Sequence, residues 1–524
     1  MRLRGMCVVV VTALAAGCAS AGTEGGADAE LTIPSTAGRA SQSTAQVMAP
    51  VTSTPITSTP STNPLVTSTP LTSTPLTSTP PTTGAAAVTG AVGPDVGDPY
   101  HPTLGNTGVD ALHYDLDLVY DPVTSVMEGV AGIDLRAEID LAAFDLDLVG
   151  LPVEMVTVDG EAASFTMTPD EIRVDLPEPV VAGTPLRVEV AYGGPMDGAT
   201  APSAGFDVGW FRRPWGSYVV GEPDGARLWF PADDHPTDKA TYVVSVTVPA
   251  GLEVAATGLL GGIEDLADGR RRWTYQAADP TASYLVSVVV GDLDLTEPVS
   301  VGDVVIRHAL APGAGGGAAI GRTAEMMDFL AGWFGPYPFE AYGVVVVPEE
   351  LGFGLENQTL TLLGSDLVSD TPATELLLVH ELAHQWAGND VSVQRWSDIW
   401  LNEGFATYAE WLWSEHIGAA TTDRLAEDKR TEAVAAGFPA PLDPGPTDLF
   451  APSVYGRGAL VLDALRRQVG DEVFADFVRT WFGRFGGGSA STADFLDLAR
   501  ELGGPSAAQV ARRWLTAEQV PDRS

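Results

Sequence analysis

The sequence predicts an α+β protein in which a largely antiparallel β domain precedes a mostly helical domain. In the first domain, residues 96–300, short segments alternate apolar and polar side chains, and turn residues separate the segments. In the second domain, residues 301–524, apolar residues recur at helical spacing, as at Met327, Leu330 and Phe334. Both stretches are long enough to bury a hydrophobic core.

The chain begins with a segment typical of a secretory signal. Arg2 and Arg4 precede an apolar run over residues 7–16, which is too short to span a bilayer. The run leads to Gly17-Cys18, which resembles a bacterial lipoprotein signal in which the cysteine is lipidated. We therefore expect residues 1–18 to be a signal peptide that ends at Cys18. The protein would be a lipoprotein on the outer face of the bacterial cell membrane or, after conventional cleavage, a secreted protein.

Residues 19–95 differ in composition from the rest of the chain. They consist mostly of Ser, Thr, Pro, Gly and Ala, with near-repeats such as VTSTP, ITSTP and LTSTP. Such a segment has too few large apolar residues to bury a core, so we predict a disordered or polyproline-like stalk. The sequence does not indicate whether its Ser and Thr residues are glycosylated.

Charge and cysteine content exclude several functions. The formal net charge is −41, from 69 acidic and 28 basic residues, so phosphate backbones would repel the chain and we expect no nucleic-acid partner. The two cysteines, Cys7 and Cys18, both lie in the signal region. The folded part therefore has no disulfide, no thiol nucleophile and no cysteine-ligated metal.

The alternating segments of the predicted β domain are His113–Leu118, Gly132–Arg136, Leu186–Val190 and Tyr242–Val248. In the second domain, residues 342–347 read as a buried strand and residues 351–363 as a second strand that contains glycines. Thr371-Pro372 then begins a helix that we expect to end near Ala387, and an amphipathic helix follows over residues 399–416.

The first of these helices carries an HExxH motif, His380-Glu381-Leu382-Ala383-His384. Residues i and i+4 project from one helical face, so both imidazoles can bind one Zn²⁺. Glu403 on the second helix can supply a third ligand. Two histidines and one carboxylate leave a coordination position open, which is typical of a catalytic zinc site, and Glu381 lies beside the metal as a candidate base.

Three motifs together resemble the M1 family of zinc aminopeptidases: Gly354-Leu355-Glu356-Asn357, HELAHQW and LNEGFATY. The resemblance extends from about Tyr114 to about Trp514. It implies a saddle-like N-terminal β-sheet domain packed on a thermolysin-like zinc-peptidase domain. It also implies that His380, His384 and Glu403 are the zinc ligands and that Glu381 is the general base.

The resemblance assigns further residues to substrate binding and catalysis. Tyr455 matches the tyrosine that stabilises the oxyanion together with zinc. Glu356 matches the carboxylate that binds the free amine of the substrate, and Glu222 is a second candidate for that contact. Gly352 and Gly354 leave room for a substrate backbone along the strand edge.

Some positions depart from the family pattern. Val220 stands where the family usually has a polar residue, Phe353 where it usually has Gly, and Leu355 where it usually has Met. Glu410 lies seven residues after Glu403 and is a candidate to hold the outer nitrogen of a zinc-bound histidine; a solvated helix-face charge is the alternative. The chain ends shortly after the matched region, without the large C-terminal helical domain of many relatives, so we expect a short form with a more open cleft.

We therefore expect an exported zinc aminopeptidase, with one Zn²⁺ per chain, that removes N-terminal residues from peptides with a free amine. One alternative is a zinc endopeptidase or a non-peptide hydrolase of the same fold. A second is an inactive surface binding module. The sequence indicates neither the preferred N-terminal residue, nor the physiological substrate, nor the oligomeric state.

Overall fold

The computed structural model describes residue 93 and residues 95–196 and 200–523. The predicted signal peptide with Cys18, and nearly all of the predicted stalk, lie outside these residues. Across the described ranges, no helix combines the length and the apolar character that a membrane crossing requires.

Strands dominate the N-terminal half, as the alternating sequence pattern predicts. They are β1 (Val109–Asp121), β2 (Val126–Ala137), β3 (Leu141–Asp147), β4 (Val153–Val158), β5 (Glu161–Ala162), β6 (Ser164–Met167), β7 (Glu171–Val180), β8 (Pro185–Pro195), β9 (Thr200–Ser203), β10 (Phe206–Arg213), β11 (Gly216–Val220), β12 (Lys239–Pro249), β13 (Glu253–Ala256), β14 (Leu259–Asp265), β15 (Arg270–Ala282) and β16 (Val288–Gly291). Along β1, Tyr114, Leu116 and Leu118 are buried while Asp115 and Asp117 are half-exposed, so one face of the sheet forms the core.

The largest sheet has eight strands in the order β14-β15-β12-β1-β2-β8-β4-β5. Its neighbouring strands are antiparallel except for one pair, in which β1 runs parallel to β12. These two strands lie far apart in the sequence, so no tight turn determines their relative direction. A second sheet has five antiparallel strands in the order β13-β16-β11-β10-β9, and Glu222 lies two residues after the end of β11. Strands β3, β7 and β6 form a third sheet.

Helices dominate the C-terminal half, which also contains short strands. The strands are β17 (Asp294–Leu295), β18 (Val299–Val301), β19 (Val304–Ile306), β20 (Ala309–Leu310), β21 (Ala341–Tyr342), β22 (Val344–Val347), β23 (Gly354–Leu355), β24 (Thr361–Gly364), β25 (Val391–Val393) and β26 (Gly488–Ala490). The helices are α1 (Gly317–Ile320), α2 (Thr323–Phe334), α3 (Pro372–Ala383), α4 (Trp400–His416), α5 (Thr422–Ala436), α6 (Pro452–Val469), α7 (Asp471–Phe485) and α8 (Thr492–Thr516).

The predicted single strand over residues 351–363 is wrong in one respect, because two short strands occupy it. Strands β23 and β24 pair antiparallel, and Thr359 between them has a φ of 65°. The left-handed backbone at Thr359 allows the chain to reverse there. Glu356 consequently lies in a connection beside the zinc-helix candidate α3 rather than within a continuous strand.

The two predicted helices of the motif region are present. α4 begins at Trp400, one residue later than predicted, and ends at His416 as predicted. α3 begins at Pro372 as predicted, but the regular helix ends at Ala383, and turn residues follow through Trp386. The turns arise because the amide N–H groups of Gln385 and Trp386 donate to carbonyls three residues earlier.

Two glycines allow α4 and α6 to come together. A Cβ placed on Gly458 of α6 would lie 3.0 Å from the Cα of Gly404 on α4, so the backbones approach with no side chain between them. Glu403 precedes the first of these glycines, and Tyr455 lies one helical turn before the second. The close approach therefore brings Tyr455 towards the residues of the HExxH motif.

Candidate active site

α3 and α4 bring together the three predicted zinc ligands. Nε2 of His380 lies 3.3 Å from Oε2 of Glu403, and Nε2 of His384 lies 3.6 Å from the same oxygen. All three side chains are buried, and each offers a ligand atom within 4.8 Å of the others. In the part of the chain that the structure describes, this is the one such group of three or more His, Cys, Asp or Glu residues.

The electrostatics of the group suit a cation. Burial would lower the pKa of His384, but the charges of Glu356 and Glu403 raise it to about 9. Burial would raise the pKa of Glu403, but His384 and His380 lower it to about 2. Oε2 of Glu403 is also buried and has no hydrogen-bond partner. A positive charge is thus favoured at this point, and two imidazoles with one carboxylate are a donor set that Zn²⁺ prefers.

Each histidine is oriented through its outer nitrogen. Nδ1 of His380 lies 2.7 Å from Oε1 of Glu410, and Nδ1 of His384 lies 3.0 Å from the carbonyl oxygen of Ala387. When each Nδ1–H donates to its oxygen, the lone pair on Nε2 points towards Glu403. Glu410 makes this contact because residues seven apart, Glu403 and Glu410, lie on the same face of α4.

Glu381 is a buried carboxylate beside the histidines. Burial raises its pKa to about 8, against the opposing effect of the charge on His380, and the charge on Glu356 adds to the increase. Its Oε2 has no hydrogen-bond partner. A carboxylate with a pKa near neutrality can both accept and return a proton.

The ring of Tyr455 packs against the ring of His380. The two rings are nearly parallel, at an interplanar angle of 21°, and their centroids are 5.9 Å apart. Burial raises the pKa of the Tyr455 phenol well above its usual value, and the charges of Glu403 and Glu222 raise it further. The phenol therefore keeps its proton and can donate a hydrogen bond.

Two further carboxylates, Glu356 and Glu222, lie buried beside the group. Oε1 of Glu356 is 3.7 Å from Nδ1 of His384, and the Oε1 atoms of both glutamates are buried without a hydrogen-bond partner. Burial raises the pKa of Glu222 well above its usual value, and the charge on Glu356 raises it further. An ammonium ion bound between the two would relieve this repulsion.

The two predicted substrate-contacting glycines are in different surroundings. Gly354 in β23 faces Glu381, and a Cβ on it would collide with the Glu381 carboxylate. Gly352 has a φ of 74°, and its N–H donates to Oδ2 of Asp366 at 3.1 Å. The contact of either glycine with a substrate backbone stays a prediction.

The three departures from the family pattern share one environment. Val220 and Leu355 belong to the same buried apolar cluster, and Phe353 packs against it. Phe353 also contacts Phe206 at the start of β10, with ring centroids 6.1 Å apart. The three apolar residues therefore pack in one cluster, at positions where the family usually has a polar residue, Gly and Met.

Two polar residues of this region were not predicted from the sequence. Gln385 and Asn389 are fully buried and donate hydrogen bonds to the backbone carbonyl of Glu356. Their only sequence signal is that both lie within five residues after His384, the last residue of the HExxH motif. Their partner, a backbone oxygen on another segment, is visible only in the folded chain.

Comparisons with known proteins identify relatives of both halves. The model of the peptidase M1 N-terminal domain matches residues 110–285, and that of the peptidase family M1 domain matches residues 318–514. The crystal structure of an M1 zinc metallopeptidase from Deinococcus radiodurans is 35% identical in sequence, with a TM-score of 0.76, and the match covers 82% of this chain and 99% of that one. A mutant of that enzyme bound to a Tyr-Ser-Ala substrate matches at 34% identity, with the same TM-score and coverage.

More distant curated relatives are aminopeptidases by name. Probable aminopeptidase 2 of Sulfurisphaera tokodaii is 25% identical over 436 residues, which are 78% of this chain and 54% of that protein. Probable aminopeptidase 1 of Saccharolobus solfataricus is 27% identical over 432 residues, which are 75% of this chain and 52% of that protein. The chain thus spans about half the length of these curated relatives.

Proposed function

Since this chain belongs to the M1 family of zinc metallopeptidases, we propose that it is an aminopeptidase that hydrolyses the first peptide bond of peptides with a free N-terminus. The observation that carries this proposal is the pair of buried carboxylates, Glu356 and Glu222, beside the histidine-glutamate group. An unpaired buried oxygen on each is suited to a substrate ammonium. The amine, once held there, puts the adjacent carbonyl beside His380, His384 and Glu403.

The three ligands would hold one Zn²⁺, which as a Lewis acid polarises the scissile carbonyl and makes water more acidic. Glu381 takes a proton as the water oxygen attacks the carbonyl carbon, and returns that proton to the leaving nitrogen as the C–N bond breaks. The phenol of Tyr455 donates a hydrogen bond to the carbonyl oxygen as it gains charge. One carboxylate and one phenol therefore carry both proton transfers and part of the oxyanion stabilisation.

A comparison of blocked and free substrates tests this proposal. We expect cleavage of an aminoacyl anilide with a free amine, and its loss when the amine is acetylated or when zinc is removed by a chelator. Equal cleavage of the acetylated substrate would favour a zinc endopeptidase or another hydrolase. Absence of turnover on any substrate by zinc-loaded protein would favour an inactive binding module.

We further propose that the enzyme is exported and anchored through a lipid on Cys18, where it would act on extracellular peptides. The basic residues, short apolar run and Gly17-Cys18 of the chain's first segment support this location. Incorporation of a labelled fatty acid into the native protein, and its loss in Cys18→Ser, is the expected result. Unlabelled protein free in the culture medium would instead indicate conventional cleavage and secretion.

A further inference from the structure

The backbone of Glu356 is bound by two buried amide side chains. Nδ2 of Asn389 donates to the Glu356 carbonyl oxygen at 2.7 Å, and Nε2 of Gln385 donates to the same oxygen at 3.0 Å. Oε1 of Gln385 in turn accepts the backbone N–H of Thr359 at 2.9 Å. The connection from Glu356 to Thr359 is therefore bonded at both ends to residues that follow the zinc ligand His384.

A lysine from the other half of the molecule holds the loop that carries Asn389. Nζ of Lys239, the first residue of β12, donates to the carbonyl oxygens of Asn389 and Asp390, each at 2.8 Å. Burial lowers the pKa of Lys239 to about 7. Two of the three N–H donors of the Lys239 ammonium therefore bind the loop that carries Asn389.

The side chain of Glu356 is held much less firmly than its backbone. Its Oε1 has no hydrogen-bond partner, and this atom lies 3.7 Å from Nδ1 of His384. The position of the carboxylate must therefore be set by the backbone that carries it. Two donors on one carbonyl, from a segment that continues directly out of the zinc helix, fix that backbone relative to His380 and His384.

We propose that Asn389, Gln385 and Lys239 are positioning residues, which fix the separation between the amine-binding carboxylate of Glu356 and the metal ligands. In an exopeptidase that releases one N-terminal residue, the distance from the amine-binding carboxylate to the metal ligands must match the length of one substrate residue. Displacement of a substrate by about 1 Å can reduce turnover by about 100-fold. The inference rests on the proposed aminopeptidase function, because it concerns the residue that would bind the amine.

The first experiment measures the discrimination between free and blocked ligands. In a Glu381→Gln background, which prevents turnover, calorimetry would measure binding of an amino-acid amide and of its N-acetylated form. We expect Asn389→Ala and Gln385→Met to reduce the preference for the free amine by about 10-fold or more, while bound zinc stays at one per chain. Lys239→Met, which acts on the same loop from β12, should produce a smaller loss in the same direction.

Ser392→Ala is the matched control. Ser392 is equally buried and donates to the carbonyl of Gly388 in the same loop at 2.8 Å, but it does not reach Glu356. The control should keep the preference for the free amine even if its melting temperature falls as much as that of Asn389→Ala. If Asn389→Ala fails to fold, Gln385→Met and Lys239→Met provide the same measurement.

The outcomes separate the two proposals. No preference for the free amine in the Glu381→Gln protein without substitutions at Asn389, Gln385 or Lys239 would overturn the proposed function itself. A clear preference there, retained in Asn389→Ala, Gln385→Met and Lys239→Met, would overturn the positioning role and leave the proposed function intact. Equal losses in Ser392→Ala and Asn389→Ala would also overturn it, because the effect would then come from general loosening of the loop.

Discussion

Nδ1 of His380 lies 2.7 Å from Oε1 of Glu410, and this contact joins the zinc-helix candidate α3 to α4. Glu403, the third predicted ligand, lies two helical turns earlier on the same face of α4. One helix therefore supplies both a ligand and the group that orients another ligand. This arrangement and the packing around it predict how substitutions should change zinc binding, turnover and stability.

Glu410→Gln should weaken zinc binding by about 10-fold to 100-fold, because His380 loses the carboxylate that accepts its outer N–H. Competition with a chromogenic chelator measures the affinity. Glu415→Gln on the same helix is the control, since Glu415 contacts Thr422 instead of a histidine. Unchanged zinc affinity in Glu410→Gln would show that Glu410 does not support the ligand and is an ordinary charge on the helix face.

Glu381→Gln should retain zinc but lower kcat by about 100-fold to 10,000-fold, because the amide cannot accept a proton from water. Metal analysis and steady-state kinetics on an aminoacyl anilide measure the two quantities. Substantial kcat in a zinc-loaded variant would mean that another group acts as the base.

Tyr455→Phe should lower kcat by about 100-fold to 1,000-fold, because the oxyanion loses one hydrogen-bond donor. KM should change little, since the phenol donates most strongly when the carbonyl oxygen gains charge. A variant that raises KM and preserves kcat would instead assign Tyr455 to ground-state binding.

Gly458→Ala should destabilise the fold by about 1–3 kcal/mol, because the added methyl would lie 3.0 Å from the Cα of Gly404 and push α6 from α4. The same displacement moves Tyr455 away from His380, so kcat should fall although zinc is retained. Denaturant unfolding and kinetics test both effects. Gly483→Ala on α7 is the control, because a Cβ there meets no atom within 4 Å.

The N-terminal half contains a buried pair of acids that should make stability depend on pH. Asp147 and Glu171 are cross-strand partners on β3 and β7, and both oxygens of Glu171 are buried without a hydrogen-bond partner. Burial raises the pKa of Asp147 to about 8, and the charge on Asp234 adds to the increase. Burial also raises the pKa of Glu171, as does the charge on Asp147.

Since the folded state of this pair holds protons that the unfolded state releases near pH 4, stability should fall as pH rises from about 4 to about 8. Glu171→Gln keeps the shape and removes one charge, so it should raise the free energy of unfolding at pH 8 by about 1–3 kcal/mol and reduce the slope. Thermal unfolding at pH 5 and pH 8 measures this, with the exposed Glu178→Gln on β7 as control. A gain at pH 5 as large as that at pH 8 would contradict the explanation that the folded state retains protons on this pair.

Much of the fold follows from local patterns in the sequence. The alternation over residues 113–118 lies within β1, and that over residues 242–248 lies within β12. The helix boundaries near Thr371 and His416 agree with the structure to within a residue, because caps and periodicity act over a few neighbours. The parallel pairing of β1 with β12 has no such local signal, since it depends on how distant strands meet.

In the candidate site, too, some features follow from local sequence patterns and others from contacts between distant segments. The spacing of His380 and His384 places both rings on one helical face in any context, so this part of the metal site is already present in the sequence. The break in the strand at Thr359, and the apolar cluster that contains Val220 and Leu355, arise from contacts between distant segments. Neither can be derived from the neighbours of those residues.

By itself, the sequence determined the chemistry that is available: a pair of helical histidines, a general-base candidate between them, and a carboxylate on the following helix. Only the tertiary structure decided the distances at which these groups meet. It brings Glu410 into contact with His380, and the side-chain amides of Gln385 and Asn389 into contact with the backbone carbonyl of Glu356. The physical reason is that helical periodicity is a short-range property of the backbone. The approach of α4 to α6 at Gly404 and Gly458, in contrast, depends on the packing of the whole core.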